Sequence, residues 1–404
     1  MIKDIGLEKI FPIFKIMESV SCLGDFPKVP INANTTYVKY SGIRTMYKIL
    51  ESDSLYMFCS ELSNDKKENQ FIHRDYPQEA YISCFFNSNL SNSSTQKNSS
   101  DVYSQWMGYC HDGGVAFEFY FYQDKLCELF SNGTLNDNAE SIIKNNVDLF
   151  DLSLVSANDK SSSEFIKYSA FPFRVQYYDD EVFAESVGND GRYLPKKNTY
   201  LQAIENIINQ NNIDANLVAP FFKHSGFVQE SEARLAIVNC DNEISKCIKF
   251  LNGVNGERIP YIIAKFGDSD KMTRPCVRLD SKGENIFSNN KSIENYIKSI
   301  PIYKRQRKFP IVIPQGRNQE DIYETIESII SKMERNGEGD FSIICQGHLP
   351  ITKITLAPTT DRKEQKKMME IFCKGKYWLR HVKIFESNIP YNTCLLYTSD
   401  AADE

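Results

Sequence analysis

Two carboxylates and a guanidinium lie close together at residues 229–238, which read Gln-Glu-Ser-Glu-Ala-Arg-Leu-Ala-Ile-Val. If this stretch is an extended strand, its side chains alternate between two faces, so Glu230, Glu232 and Arg234 project from the same face. The two carboxylates are then about 6 to 7 Å apart and can reach one small ligand. Like charges at this spacing tend to raise the pKa of one carboxyl group, which suits acid–base chemistry.

The same three residues also have a purely structural interpretation. A strand face that carries Glu230, Glu232 and Arg234 is typical of a solvated surface on which Arg234 forms ion pairs with its neighbours. The segment by itself therefore leaves two alternatives open, which are a catalytic site and a surface ion-pair cluster.

Several common kinds of site have no motif in this sequence. There is no Gly-x-Ser-x-Gly, no Gly-x-x-x-x-Gly-Lys and no Gly-x-Gly-x-x-Gly after a strand, so hydrolase, NTPase and dehydrogenase functions lose support. The pair Gly113-Gly114 is better explained as turn chemistry. Eleven Cys without a Cys-x-x-Cys pair indicate reduced thiols, and five His without zinc-site spacing predict no metal site.

Composition and charge restrict the partners that the chain is expected to bind. The net charge of −6 over 404 residues argues against nucleic acid as the main partner, although basic runs such as 303–308 are local candidates for contact. No window contains the roughly 18 apolar residues that a membrane span needs, and the N-terminus lacks the pattern of a signal peptide. We therefore expect a cytoplasmic protein without a membrane partner.

Strands and helices interleave along the chain without the regular alternation of a doubly wound sheet. This order predicts an α+β fold with a mixed, largely antiparallel sheet and flanking helices. Apolar periodicity predicts helices around Ile43–Leu50, 201–208, Ile322–Met333 and 361–364 onward. Strands are predicted at 37–40, 55–60, 81–86, 115–122, 173–178, 261–266, 309–313, 351–357 and 381–385, with a largely irregular polar region at 131–163.

The order of the predicted helices and strands divides the chain into five segments. These are an N-terminal extension (1–36), a main α+β domain (37–250), an insertion with a helix (251–348), a C-terminal strand–helix–strand unit that completes the domain (349–393), and a tail (394–404). The tail resembles the translation of a transposase sequencing adapter, so we expect it not to be biological sequence.

A series of short motifs occurs in a characteristic order. They include Tyr37-Val38-Lys39-Tyr40, 49–56, Leu62-Ser63-Asn64-Asp65 with Glu68, 81–85, Trp106-Met107-Gly108-Tyr109 with Gly114, Phe227 with Glu230, Glu232 and Arg234, and 387–391. In this order they resemble the bacterial proteins catalogued as domain of unknown function 2971. The resemblance spans about residues 37–391.

The plan of that family is similar to the ADP-ribosyltransferase fold of certain toxins. This likeness implies an NAD-consuming enzyme, a toxin or an effector of phage defence, that acts on an unknown macromolecular target. It implies that Glu232 stabilises an oxocarbenium-like state, that Glu230 orients or activates the acceptor, and that Arg234 keeps Glu232 ionised. Further substrate-binding positions would be Lys39, Tyr40, Ser83, Trp106 and Tyr109.

The alternative function is a non-catalytic interaction or sensor module on the same scaffold, with Glu230 and Glu232 in surface ion pairs. A cleft that contains Glu232, Tyr40 and Ser83 would favour the enzyme, whereas Glu232 on an open convex face would favour the module. In either case the sequence predicts that a Glu232→Gln variant keeps its structure and nearly its melting temperature.

Overall fold

The structure is a computed structural model that describes residues 37–60, 80–87, 101–110, 113–121, 130–131, 134–135, 151–157, 165–170, 172–178, 206–210, 212, 215–238, 242–253, 256–267, 285–301, 310–316, 318–358 and 362–389. The predicted N-terminal extension and adapter-like tail lie outside these residues.

Within the described residues the chain forms strands and shorter helical segments in mixed order. The strands are β1 (Tyr37–Gly42), β2 (Leu55–Cys59), β3 (Ala80–Asn87), β4 (Gly114–Phe119), β5 (Phe130–Ser131), β6 (Thr134–Leu135), β7 (Asp151–Val155), β8 (Phe165–Ser169), β9 (Phe173–Arg174), β10 (Gln176–Tyr178), β11 (Phe222–His224), β12 (Glu232–Val238), β13 (Lys249–Asn252), β14 (Arg258–Phe266), β15 (Pro310–Ile313), β16 (Ser342–Cys345), β17 (Ile351–Leu356) and β18 (Lys383–Glu386). The helices are α1 (Ile43–Ser52), α2 (Tyr103–Tyr109), α3 (Ala215–Val218), α4 (Asn242–Ser245), α5 (Asn290–Ser299), α6 (Gln319–Arg335) and α7 (Arg362–Lys374), with 3₁₀ turns at Ala219–Phe221, Ser225–Glu230 and Tyr377–Leu379. Residues 206–210 are also helical.

Twelve of the strands form one sheet. Its main path runs β18-β17-β4-β1-β3-β2-β14-β7-β8, and β12, β9 and β13 pair beside this path. Among the described residues β17 and β18 are the one parallel pair in this sheet, and its other pairs are antiparallel. The predicted α+β fold with a mixed, largely antiparallel sheet is therefore confirmed.

Helices cover the sheet with the apolar stripes that their sequences contain. In α1 the buried residues Met46, Ile49 and Leu50 recur at helical spacing, and Asp53 adopts a left-handed conformation that ends the helix. In α6 the buried stripe includes Ile322, Ile326, Ile330 and Met333. Both stripes join a single apolar core, because helix and sheet each bury one face against the other.

The predicted boundary between 250 and 251 does not separate two units in the structure. It falls within β13, and β14, which follows it, lies in the middle of the main sheet between β2 and β7. Residues of α5, α6, β15 and β16 belong to the same core as the sheet. At the other end, β17 pairs with β4 and β18 pairs with β17, so the C-terminal strands extend the sheet.

Two local elements of the structure were not predicted from the sequence. The segment around Trp106 forms α2, although its composition gives little helical periodicity. Strand β7 lies inside the region predicted to be largely irregular. Leu152 and Leu154 alternate and are buried in the core, but this apolar pattern is short and polar residues flank it, so the sequence did not reveal the strand.

Gly114 lies where β1 and β4 meet most closely. It pairs with Gly42, and a Cβ at Gly114 would overlap the backbone oxygen of Ser41 and lie 2.9 Å from the Cys110 sulfur. We expect Gly114→Ala to lower the free energy of unfolding by about 1–3 kcal/mol, because a backbone atom cannot move aside. Urea denaturation measures this loss.

Gly108 supplies the matched control. A Cβ there would meet no atom within 4 Å, and the residue lies in α2, where Ala is preferred over Gly. Gly108→Ala should therefore raise stability by about 0.5–1 kcal/mol. Equal effects of the two substitutions would contradict the close approach of β1 and β4.

Candidate active site

Glu232 and Arg234 form a buried ion pair at the start of β12. Arg234 Nε donates to Glu232 Oε1 at 2.8 Å and Arg234 Nη2 donates to Glu232 Oε2 at 2.9 Å, which is a two-point contact. Glu232 is 5% exposed and Arg234 is 1% exposed. The two side chains share one strand face as predicted, but the interpretation of this face as a solvated surface is wrong.

The Glu230 carboxylate lies near that of Glu232, although Glu230 is not part of β12. It ends the 3₁₀ turn Ser225–Glu230 instead of continuing the strand, and Ser231 between the two carboxylates adopts a positive φ of 44°. The prediction that Glu230 belongs to the strand is therefore wrong. Its carboxylate nevertheless meets Glu232 at a shared cation, because the turn folds back towards β12.

The shared cation is Lys223, on β11. Its Nζ lies 2.7 Å from Glu230 Oε2 and 3.2 Å from Glu232 Oε2, and it sits 4.7 Å from the centre of the Phe227 ring. Burial works against the charged form of Lys223, but the Glu232 and Glu230 carboxylates together raise its pKa above the ordinary value. Lys223 therefore remains an ammonium and ties the two carboxylates together.

Burial is also the largest influence on Glu232. It raises the pKa of the Glu232 carboxyl, and the Lys223 ammonium opposes that rise. Lys223 and Arg234 can only donate hydrogen bonds, so their contacts stabilise the ionised carboxylate. The backbone is fixed as well, because the Glu232 N–H donates to the Tyr177 hydroxyl at 2.9 Å and Arg234 Nη1 donates to the Pro220 carbonyl at 2.8 Å.

The cleft beside Glu232 arises from the way three strands share β3. Strand β12 pairs along one edge of β3 from Ala80 to Phe86. On the other edge, β2 pairs only at residues 81–82 and β1 pairs only at residues 86–87. Among the described strands none pairs with residues 83–85 on this edge, so a gap opens between β1 and β2.

Lys39 of β1 fills the floor of this gap. Its Nζ donates to Ser83 Oγ at 2.9 Å and to the Cys84 carbonyl at 3.3 Å, which takes the place of a missing strand contact. Burial lowers the pKa of the Lys39 ammonium, while the neighbouring Cys84 and Glu232 side chains act in the opposite direction. Lys39 is thus a cation held at the base of the cleft.

The cleft itself is half open and encloses about 420 Å³, counting space that communicates with solvent. Strand β1 contributes Lys39 and Tyr40 to its wall, and the two carboxylates Glu230 and Glu232 form the opposite side. Helix α2 adds Gln105 and Tyr109, and β3 adds Cys84 through Phe86. A concave site with several convergent polar groups is the usual form of a small-ligand site.

Five of the predicted site residues line the cleft, namely Glu232, Glu230, Lys39, Tyr40 and Tyr109. Arg234 and Ser83 lie behind this surface, where they hold Glu232 and Lys39 respectively. Each therefore positions a lining residue and does not face the cleft.

Trp106 also lies behind the surface. Its ring is 2% exposed and packs edge-on against Tyr40 at 4.9 Å, and its Nε1 donates to Asp101 Oδ1 at 2.8 Å. Trp106, a predicted substrate-binding residue, therefore does not face the cleft. It supports the Tyr40 wall from behind.

Three polar residues of the site, Lys223, Gln105 and Cys84, were not predicted from the sequence. Lys223 and Gln105 carry no motif of their own, and Cys84 is a single thiol in an apolar strand. Burial raises the pKa of the Cys84 thiol, and the nearby Glu232 carboxylate adds to this rise, so the thiol is held in its neutral form. Lys223 precedes Glu230 by only seven residues, and this short separation could have suggested that the two side chains meet. The contact can be inferred only once residues 225–230 are known to form a 3₁₀ turn.

No family model, curated protein or solved structure matches this chain. In the part of the chain that the structure describes, no helix is both long and apolar enough to cross a lipid bilayer. Over the same residues, no group of three or more His, Cys, Asp or Glu side chains is arranged to hold a metal ion.

The lowered pKa of Lys39 predicts a specific dependence of stability on pH. Between this lowered pKa and the ordinary value of 10.5, the unfolded chain binds more protons at Lys39 than the folded chain does. The free energy of unfolding of the wild type, minus that of a Lys39→Met variant, should therefore rise with pH in this window. Urea denaturation at a series of pH values below 10.5 measures the difference.

Lys298 provides the control for this prediction. It is exposed, and its contact with Glu294 raises its pKa, so its contribution to stability is already complete below 10.5. The same subtraction with Lys298→Met should show no rise over this range. A flat difference for Lys39 as well would contradict its burial as a charged group.

Proposed function

We propose that this chain is an NAD-consuming enzyme of the ADP-ribosyltransferase type, and a member of the domain of unknown function 2971 family that its motifs resemble. The observation that supports this proposal is the buried carboxylate of Glu232 at the wall of a half-open cleft, opposite Lys39 and Tyr40 of the opening strand. A carboxylate in this position is suited to stabilising positive charge on a bound sugar, since the site excludes much of the competing water.

The proposed reaction begins with cleavage of the bond between the ribose C1 and the nicotinamide nitrogen. The bonding electron pair leaves with nicotinamide, and the positive charge that develops on the ribose lies against the Glu232 carboxylate. An acceptor nucleophile, or water, then forms a new bond to C1. Glu230, whose side chain is 29% exposed, takes the proton that the nucleophile loses.

The remaining lining residues have complementary roles in this proposal. Tyr109 is 51% exposed at the mouth of the cleft, so its ring is free to stack on the flat nicotinamide ring. Gln105 on the same helix offers an amide that matches the nicotinamide carboxamide. The cleft is open to solvent, so the adenosine part of NAD would lie outside it.

Release of nicotinamide from NAD by the purified protein tests the proposal. The assay is run with and without cell extract, which supplies acceptors for transfer. A Tyr109→Ala variant should raise the KM for NAD by about 2- to 10-fold, the range for losing one aromatic contact, with little change in melting temperature. Tyr109→Phe keeps the ring and should behave like the wild type.

Absence of nicotinamide release and of NAD binding under all these conditions would remove support for the enzyme. A specific observation favours the alternative, a non-catalytic interaction or sensor module. Lys223 already contacts both carboxylates and Arg234 contacts Glu232, which is an arrangement that a purely structural ion-pair network would also have. In that case changes at Glu232 should affect stability only.

The biological role that we propose is that of a toxin or an effector of phage defence. Either NAD consumption itself or modification of a macromolecular target would serve this role. The two are separated by labelling: transfer of the ADP-ribose group to a component of cell extract indicates a target, whereas free ADP-ribose as the sole product indicates NAD hydrolysis.

A further inference from the structure

A second surface with a distinct composition lies on the main sheet, on the same face as the cleft and beside it, since Phe58 of β2 pairs with Ile82, two residues before Cys84. Three residues of adjacent strands are direct neighbours across it, because Tyr261 of β14 pairs with Phe58 of β2 on one side and with Lys249 of β13 on the other. Directly paired residues of antiparallel strands project from the same face. Tyr56 of β2 and Lys265 of β14 lie on this face as well, two and four positions along their strands. We call these five residues the aromatic–lysine face.

The side chains of this face point away from the core. Alternate residues of the same strands, Met57 and Ile262, are fully buried, whereas Phe58 is 38% exposed and Tyr56 and Tyr261 are partly exposed. The Tyr56 and Tyr261 rings stack at 5.9 Å with 28° between their planes. Phe58 lies 6.0 Å from Tyr261. The three rings therefore form one continuous platform that solvent reaches.

A lysine stands at each end of the platform. Lys249 is beside Tyr261, and Lys265 is four residues further along β14, which is about 13 Å. Among the described residues no carboxylate lies within salt-bridge distance of either lysine. Nearby Lys246, by contrast, is paired with Glu243 at 2.7 Å. The two platform lysines are thus available to neutralise an external anion.

We propose that the aromatic–lysine face binds single-stranded nucleic acid, with bases stacked on Phe58 and Tyr261 and phosphates at Lys249 and Lys265. Exposed rings on a sheet combined with cations at their margins are the features that bind unpaired bases together with their backbone. An acidic peptide would use the lysines but not the ring faces. Because the chain has a net charge of −6, the rest of its surface repels a polyanion, so we expect nucleic acid to bind at this face alone. We also expect its affinity to fall as the salt concentration rises. This inference does not depend on NAD cleavage.

Fluorescence anisotropy of labelled DNA and RNA strands of ~12 nucleotides, titrated with the full chain, tests the proposal. Phe58→Ala should weaken binding roughly 5- to 100-fold, the range for losing one base–ring stack. The double variant Lys249→Ala with Lys265→Ala should weaken binding and reduce the slope of log affinity against log salt by about 1.4, or ~0.7 for each phosphate contact. Circular dichroism and melting temperature confirm that each variant is folded.

Two controls lie close to the face without belonging to it. Phe250 is 50% exposed on β13 but alternates with Lys249, so it projects from the opposite face, where Arg258 covers its ring at 4.2 Å. Phe250→Ala and Lys246→Ala should leave binding unchanged. The proposal is overturned if no binding is detected at about 50 mM salt, or if Phe250→Ala weakens binding as much as Phe58→Ala. It is also overturned if poly-glutamate competes as well as an oligonucleotide of equal charge, which would assign the face to an acidic peptide.

Discussion

Replacing Glu232 by Gln should lower the free energy of unfolding by about 3–5 kcal/mol, because it leaves the charge of Arg234 buried without its partner. Arg234 is 1% exposed, so water cannot take the place of the lost carboxylate. This burial replaces the expectation from the sequence that the variant nearly keeps its melting temperature. If the proposed function is correct, nicotinamide release should also fall by about 10²- to 10⁴-fold, the range for losing one electrostatic or acid–base group. Urea denaturation and the NAD assay measure the two effects, with activity compared at a temperature where both proteins are folded.

Glu294 provides the matched control for the stability effect. It pairs with Lys298 at 2.6 Å, but the two side chains are 46% and 60% exposed, so Glu294→Gln should change stability far less than Glu232→Gln does. Glu232→Asp keeps the charge and withdraws it from the cleft by one methylene, so it should lose more activity than stability. A large loss of stability at Glu232→Gln with unchanged nicotinamide release would show that the ion pair is structural only.

Asp101 should be the second position with a large effect. Its Oδ1 accepts hydrogen bonds from Trp106 Nε1 at 2.8 Å and from Ser387 Oγ at 2.6 Å, and its Oδ2 accepts from the Asn388 N–H at 2.6 Å. Asp101→Ala leaves these buried donors without an acceptor, so we expect a loss of about 2–4 kcal/mol in urea denaturation. If the proposed function is correct, the same loss should loosen α2, which carries Gln105 and Tyr109 to the cleft, and so raise the KM for NAD more than it lowers kcat.

Ser387→Ala separates the two parts of this prediction. It removes one of the three donors to Asp101 and leaves the Trp106 contact in place, so it should cost only about 0.5–1.5 kcal/mol and leave the KM unchanged. Equal losses in Asp101→Ala and Ser387→Ala would contradict the role of Asp101 as the common anchor of α2 and the C-terminal segment.

The sequence predicted the local parts of this fold well where side-chain periodicity is strong. Helices such as α1 and α6 bury one face, and the spacing of their apolar residues reflects this burial. Strands β3 and β4 are buried along nearly their whole length, and their continuous apolar and aromatic residues identify them. The failures occurred where that signal is weak. Helix α2 is short, and its residues Gln105 and Trp106 are buried by contacts with β1 and the C-terminal segment and not by an apolar stripe of its own.

The candidate site also has a part that the sequence predicted and a part that it did not. The alternation of a strand was enough to place Glu232 and Arg234 on one face, because that relation depends only on backbone geometry between neighbours. Burial of this pair, the recruitment of Lys223, and the gap in which Lys39 lies depend on how β1, β2, β11 and β12 are arranged around β3. These strands are far apart in the chain, so no local pattern encodes their proximity. The sequence thus determined which groups could do chemistry, and the tertiary structure decided which of them share a cleft and how strongly burial perturbs them.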